Sequence, residues 1–121
     1  MVHRVDVATG ATQHTYPNVS WAYALTVNPA GTRVYAASFN DPGVWVMNAA
    51  GGNATWLPTM HTGLDVAVDA RRDRLIITNR DQDTVTFRPL TSGAQTTLSV
   101  GNGPAFIAMR PSSVFFEDGF E

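Results

Sequence analysis

Leu25-Thr26-Val27-Asn28-Pro29-Ala30-Gly31-Thr32-Arg33-Val34-Tyr35-Ala36 returns 41 residues later as Val66-Ala67-Val68-Asp69-Ala70-Arg71-Arg72-Asp73-Arg74-Leu75-Ile76-Ile77. A third copy opens as Ile107-Ala108-Met109-Arg110-Pro111 and then breaks off. Between these copies a second element recurs, at Val2 to Gly10, Val44 to Gly52 and Val85 to Gly93, each running from Val to Gly. A fixed period of this length is the mark of a repeat architecture, so it is read before individual strands are assigned.

Each period holds four short strand candidates divided by turn residues, and no segment has a helical period. One unit offers 23 to 28, 33 to 39, 44 to 48 and 54 to 58; the next offers 64 to 69, 74 to 80, 84 to 88 and 95 to 100. Asn28-Pro29-Ala30-Gly31 suits a type I turn, with Asn first, Pro fixing φ second and Gly last. Gly51-Gly52 and Ser92-Gly93 supply the positive φ needed before each fourth strand. Four strands per roughly 40 residues is the signature of a propeller blade. The expected fold is therefore all-β: four-stranded antiparallel blades over about 22 to 59 and 63 to 100, flanked by half-blades, making an incomplete β-propeller of about three blades. Within it, Leu25 and Val27, Val66 and Val68, and Ile107 and Met109 are expected as buried innermost positions.

Composition agrees with strands. The chain has 121 residues, 44% of them hydrophobic and 15% charged, with a net charge of -2. It has 13 Val and 14 Thr, no Lys, and only two Glu, at 117 and 121, so the usual residues of exposed helix faces are missing. That apolar fraction argues against disorder, and the apolar runs are too short to span a membrane as a helix. All eight basic residues are Arg, and the only cluster, Arg71, Arg72 and Arg74, has Asp69 and Asp73 beside it, a poor electrostatic footprint that implies no nucleic-acid partner. With no Cys there is no disulfide framework, thiolate metal site or Cys nucleophile. The N-terminal stretch carries no signal-peptide pattern. Domain organisation divides as a partial propeller over 1 to 113 and an acidic tail over 114 to 121, where Glu117, Asp118 and Glu121 face no basic residue.

The residues of the repeat also resemble a known family. Ile76-Ile77-Thr78-Asn79 is similar to the Tyr-Val-Thr-Asn signature of YVTN-type β-propeller repeats, and Val34-Tyr35-Ala36-Ala37 resembles it less closely. Gly101-Asn102-Gly103-Pro104 resembles that family's Gly-x-x-Pro lead into the innermost strand, and Val5-Asp6-Val7-Ala8-Thr9-Gly10 its third-strand ending. Ser38 stands for the signature Asn, Pro89 for an acidic residue, and Ala22 and Gly63 for the lead-in Pro. Phe116-Glu117-Asp118-Gly119-Phe120-Glu121 resembles a short ending of secreted bacterial proteins. The resemblance implies an extracellular or periplasmic bacterial protein and a binding or scaffold module, this chain being a fragment of it. The alternative it implies is part of a lactonase-type hydrolase or of a quinone-dependent dehydrogenase propeller.

Candidate chemistry is sparse. His3, His14 and His61 are not spaced as metal ligands, and no metal site or cofactor is expected. In the repeat register His61 aligns with Ser20 and Asn102, in connections that lead toward a propeller's central channel. His61 and Asp65 are candidates for an acid/base pair there, or for a structural hydrogen-bonded turn. Trp21 and Tyr23 hold the equivalent connection one unit earlier and could stack on a sugar, a base or a quinone, or pack between blades. Trp21, Tyr23, His61, Asp65 and Asn102 are thus the candidate ligand-binding set, expected at one mouth of the arc. Trp45 and Trp56 are expected as filler between blades or a surface patch, and Asp81-Gln82-Asp83-Thr84 as a polar turn rather than a calcium loop. Asn18-Val19-Ser20 and Asn53-Ala54-Thr55 match the glycosylation sequon. No nucleophile-elbow, phosphate-loop or zinc-protease motif occurs, so the chain alone is not expected to be an enzyme. Its expected partners are further blades, from a longer chain or from a second copy, and a possible small-molecule ligand. Three blades fall short of the four to eight that close a ring.

Overall fold

The computed structural model describes residues 1 to 109. Among them there is no α-helix; ten strands form three antiparallel sheets. Strands β1 (Val2–Val5) and β2 (Thr12–Tyr16) pair as a two-stranded sheet with a bulge between Arg4 and Val5. A four-stranded meander follows: β3 (Ala22–Val27), β4 (Arg33–Ser38), β5 (Gly43–Asn48) and β6 (Thr55–Pro58). The second meander comprises β7 (Val66–Asp69), β8 (Arg74–Asn79), β9 (Thr84–Pro89) and β10 (Thr96–Ser99). These are blade-like sheets of an incomplete propeller, in the register that the 41-residue period requires. No described helix is long and apolar enough to cross a membrane.

The turns explain why the chain reverses where it does. Asn28 accepts the Gly31 N–H at 2.9 Å, and its side-chain oxygen accepts the N–H groups of Thr32 and Arg33, so one residue closes the β3–β4 reversal. In the second blade the β7–β8 and β8–β9 reversals are single 3-10 turns, Ala70–Arg72 and Arg80–Gln82 respectively. Each is ended by an Asp (Asp73, Asp83) in the left-handed region that short polar side chains tolerate.

Packing runs between sheets, through alternate residues of the middle strands. On β4, Val34 and Ala36 face β1 and β2, whereas Tyr35 and Ala37 face the second meander. The first junction buries Tyr16, Val19, Ala36 and Met47; the second buries Tyr35, Ala37, Val44, Val66, Leu75 and Ile77. Both faces of β4 are thus inside, and the strand carries no polar face. At the outer rim the junctions are tied by polar bonds: Tyr16 to the Asn48 carbonyl, Asn18 to the Ala54 carbonyl, and Arg88 to the Pro58 carbonyl.

The innermost positions do not all behave as expected. Val66 is buried and Val68 packs half-buried against the same core, but Leu25 and Val27 are 53% and 52% exposed. They lie on the β4 face that meets β1 and β2, since Leu25 pairs with Ala36 and Val27 with Val34. Strands β1 and β2 stand at third- and fourth-strand positions and cover β4 and β5; no described residue covers β3 on that side. At the C-terminal side, residues 104 to 109 form no ladder with other described residues; Ile107 is half-buried and Met109 is exposed, which again departs from the expected burial. The second strand expected at Val114 to Phe116 and the tail over 114 to 121 lie outside the described residues.

Candidate functional site

The inner edge of the arc is a groove of about 440 Å³, walled by Leu25, Val27 and Pro29 from one blade, Val66 and Val68 from the next, and Ile107 and Met109 beyond. Three successive first-strand segments meet there because β3 packs beside β7 and the 104 to 109 segment follows. Its lining is apolar apart from Asp65 and Thr26.

At the mouth where β3 begins, three aromatic rings gather. The Phe39 ring meets Trp21 edge-on at 5.5 Å and Tyr23 edge-on at 5.8 Å. The Phe39 N–H donates to the Trp21 carbonyl at 3.2 Å, closing the end of the β3–β4 ladder. Trp21 itself has φ 56, a left-handed backbone that is a true outlier for a bulky side chain. The equivalent residue two units on is Gly103, at φ 60. Holding an exposed Trp in a conformation that a Gly occupies elsewhere in the repeat costs on the order of 1–3 kcal/mol.

The mouth continues along the chain of equivalents. Phe39 shares a small cleft with Thr62, Gly63, Leu64, Arg80 and Asp81. Gly103 lies against Arg80 and donates its N–H to Asp83 Oδ1 at 2.8 Å, which makes Asp83 the anchor of the Asn102 loop. Of the residues singled out from sequence, Trp21 and Tyr23 are therefore brought together around Phe39. Asn102 is exposed in the loop beside Arg80, and His61 is half-buried next to the shared cleft. The His61 carbonyl accepts the Thr59 hydroxyl at 2.9 Å, and its imidazole makes no hydrogen bond among the described residues.

Asp65 is engaged differently from an acid/base group. Oδ1 accepts the Val66 N–H and Oδ2 accepts the Ile107 N–H, both at 2.8 Å. Thr78 completes the link: its hydroxyl donates to the Ala105 carbonyl at 2.9 Å and accepts the Asp65 N–H at 3.1 Å. Asp65 and Thr78 thus latch the 104 to 109 segment to the second blade, and no hydrogen bond joins Asp65 to His61. Beside them Asn79, wholly buried, donates to the Thr62 carbonyl and accepts the hydroxyls of Thr84 and Thr86. A Thr-Asn pair at the end of a second strand is explained by those bonds: it ties its own blade to the next and to the preceding connection.

Phe39 and Arg80 are the mouth residues that sequence reasoning missed. They are equivalent in the repeat, each the first residue after a second strand, and that shared position was the available signal. Trp45 and Trp56 form a separate edge-to-face pair at 4.8 Å. The Trp45 Nε1–H donates to the Ser20 carbonyl at 3.1 Å, and Trp56 lies over Gly43 so closely that a Cβ there would overlap its ring. With Ser20, Ser38, Asp41 and Pro42 they line a hollow of about 420 Å³ on the side of the blade. Comparison of the chain with protein-family models and with curated proteins finds no match.

Proposed function

We propose that this chain is a binding or scaffold module of the YVTN-type propeller group, part of a longer secreted or periplasmic protein, with its ligand site at the aromatic mouth. Trp21 and Tyr23 supply stacking surface around Phe39, and His61, Asn102 and Arg80 supply the polar rim. The observation that carries this reading is Trp21: an exposed indole held at φ 56, where backbone strain is tolerated for the sake of the side chain's position. The ligand class that fits is a small molecule with a planar or apolar ring face, such as a sugar, a lactone or a quinone.

A binding role is favoured over a hydrolase because the Asp65 carboxylate is already spent on two backbone N–H groups and offers no base toward His61. Titration of the three ligand classes against intrinsic tryptophan fluorescence tests the reading. Weak quenching by one class, abolished in Trp21→Ala and retained in Trp56→Phe, is the expected result. No response to any class, or a response indifferent to Trp21, refutes the assignment of this mouth. In-frame repeats and a signal peptide in the DNA upstream of the first codon are expected for the longer secreted protein.

A further inference from the structure

The two four-stranded blades differ at one repeat-equivalent place, the end of the second strand beside the preceding connection. In the second blade Asn79 plugs it: the buried amide donates to the Thr62 carbonyl and accepts the hydroxyls of Thr84 and Thr86. In the first blade the three equivalent positions are Ser38, Gly43 and Trp45. The amide is gone, and the Trp45 Nε1–H holds the connection instead, donating to the Ser20 carbonyl at 3.1 Å. What remains is the hollow of about 420 Å³, a size within the ~300–1,000 Å³ of small-molecule sites. The connection beside it, 17 to 20, holds the repeat position of 58 to 61, the stretch that borders the second blade through the Pro58 carbonyl and the Met60 N–H. The neighbour at this rim is therefore already within the described residues, and the hollow does not depend on further blades.

We propose that this hollow binds an organic quaternary ammonium cation that carries a hydroxyl group. Trp45 and Trp56 meet at 65° with centroids 4.8 Å apart, which makes an aromatic corner. A cation whose charge is spread over methyl groups is drawn to indole faces and loses little hydration there. Asp41 is the one ionisable group of the lining among the described residues. Its Oδ2 accepts the Asn40 amide at 3.3 Å, and its Oδ1 has no partner among those residues. Ser38 is 1% exposed; its Oγ accepts the Asp41 N–H at 3.3 Å, while its own hydroxyl hydrogen meets no acceptor among the described residues. A buried donor without an acceptor is destabilising, and a ligand hydroxyl would supply one. A neutral sugar fits less well, because it needs several donors and the Trp45 N–H is already engaged. The inference goes beyond the ligand reading, since it concerns Trp45, Trp56, Ser38 and Asp41 rather than the aromatic mouth.

Choline chloride is the probe, read by the indole N–H signals of the three Trp in proton–nitrogen correlation spectra, each assigned by Trp→Phe substitution. Choline should shift the Trp45 and Trp56 signals and leave Trp21 unmoved. Its neutral tert-butyl isostere should bind roughly tenfold more weakly, and Asp41→Asn, at an exposed position, should weaken choline by a similar factor. Ser38→Ala should weaken choline but not tetramethylammonium, which has no hydroxyl to accept. Circular dichroism confirms that each variant keeps its strands. Vesicles of phosphatidylcholine carry the same cation: capture of the chain on them, lost in Asp41→Asn, would identify a lipid head group as the source, and response to choline alone a free solute. Equal binding of the neutral isostere, a stronger response of the same signals to glucose, a shift of Trp21 only, or no shift at any choline concentration would overturn the inference.

Discussion

Strands β3 and β7 occupy the same place in consecutive blades, carry the same apolar alternation, and differ in what covers them. Val66 on β7 is 3% exposed, under Tyr35 and Ala37 of the preceding blade; Leu25, its equivalent on β3, is half in water. The residues are similar, so the difference belongs to the junction and not to the strand. In this architecture an apolar alternation marks a face able to be buried, and the preceding blade decides whether it is. The largest expected effect follows directly. Val66→Asp places an unpaired carboxylate in the second junction and should remove several kcal/mol, enough to lose most of the folded population. Leu25→Asp, at a half-exposed position, should shift stability by less than about 1 kcal/mol. Urea midpoints compare the two, and equal losses would mean that β3 is buried by something else.

The same comparison separates the two ways in which first strands are held. At the first-to-second step the equivalent positions are Ala24 and Ala37, which carry no side-chain group able to hydrogen-bond the next first strand. One unit later they are Asp65 and Thr78, which bind backbone groups of 104 to 109. Asp65→Ala should therefore release that segment, since a hydrogen bond to a charged acceptor contributes about 1.5–3 kcal/mol. Amide exchange at Ile107 should speed up by roughly tenfold to a hundredfold while exchange at Ile77 changes little. Unchanged exchange at Ile107 would show that the latch is redundant.

A smaller effect is expected in acid. Asp69 pairs across the ladder with Arg74, whose Nε donates to it at 3.0 Å, and Arg72 approaches at 3.4 Å. Burial on its own would raise the Asp69 carboxyl, but the two guanidinium groups outweigh it and hold it below the ordinary range. A carboxylate depressed in the folded state stabilises fully above its unfolded pKa, about 3.9, and loses that contribution as pH falls through the lower folded value. The second blade should thus lose stability below about pH 4, and Asp69→Asn should flatten that part of the profile. Arg74 also covers the Phe87 ring at 4.3 Å, so Arg74→Ala combines a lost ion pair with lost packing.

How much of this was legible in the sequence differs by kind of feature. Strand positions and sheet order were, because the period places every Val-Thr stretch and every Gly or Asn turn in the same register twice. Burial of Leu25 and Val27 was misjudged because alternation records a face, whereas cover depends on a neighbour's strands. Among the described residues 104 to 109 pair with no strand, and the bonds from Asp65 and Thr78 to their backbone depend on three-dimensional placement that the repeat period does not carry. The candidate mouth was partly legible: Trp21 and Tyr23 stand out by type and place, whereas Phe39 is only the last residue of the strand candidate 33 to 39. Asp65 read equally well as acid or as tie, and only the positions of the Val66 and Ile107 N–H groups separate the two.

Trp21 gives the smallest energetic effect and the sharpest contrast, because its repeat equivalent Gly103 shows what the backbone alone prefers there. Trp21→Gly relieves left-handed strain of about 1–2 kcal/mol. It also loses the edge-to-face contact with Phe39, about 0.5–1.5 kcal/mol, and adds the conformational entropy of Gly to the unfolded chain. These terms nearly cancel, so stability should stay within about 1 kcal/mol of wild type. Trp21→Ala loses the same ring but keeps a Cβ in the left-handed region, so it should be the less stable of the two by about 1 kcal/mol. That order, read from thermal midpoints of the two variants, isolates the backbone from the side chain. If Ala equals or exceeds Gly, the strain at Trp21 is not real and the mouth loses the feature that marks it as built for a ligand. If Gly is the more stable and ligand quenching is lost in both, the indole is there for binding and not for the fold.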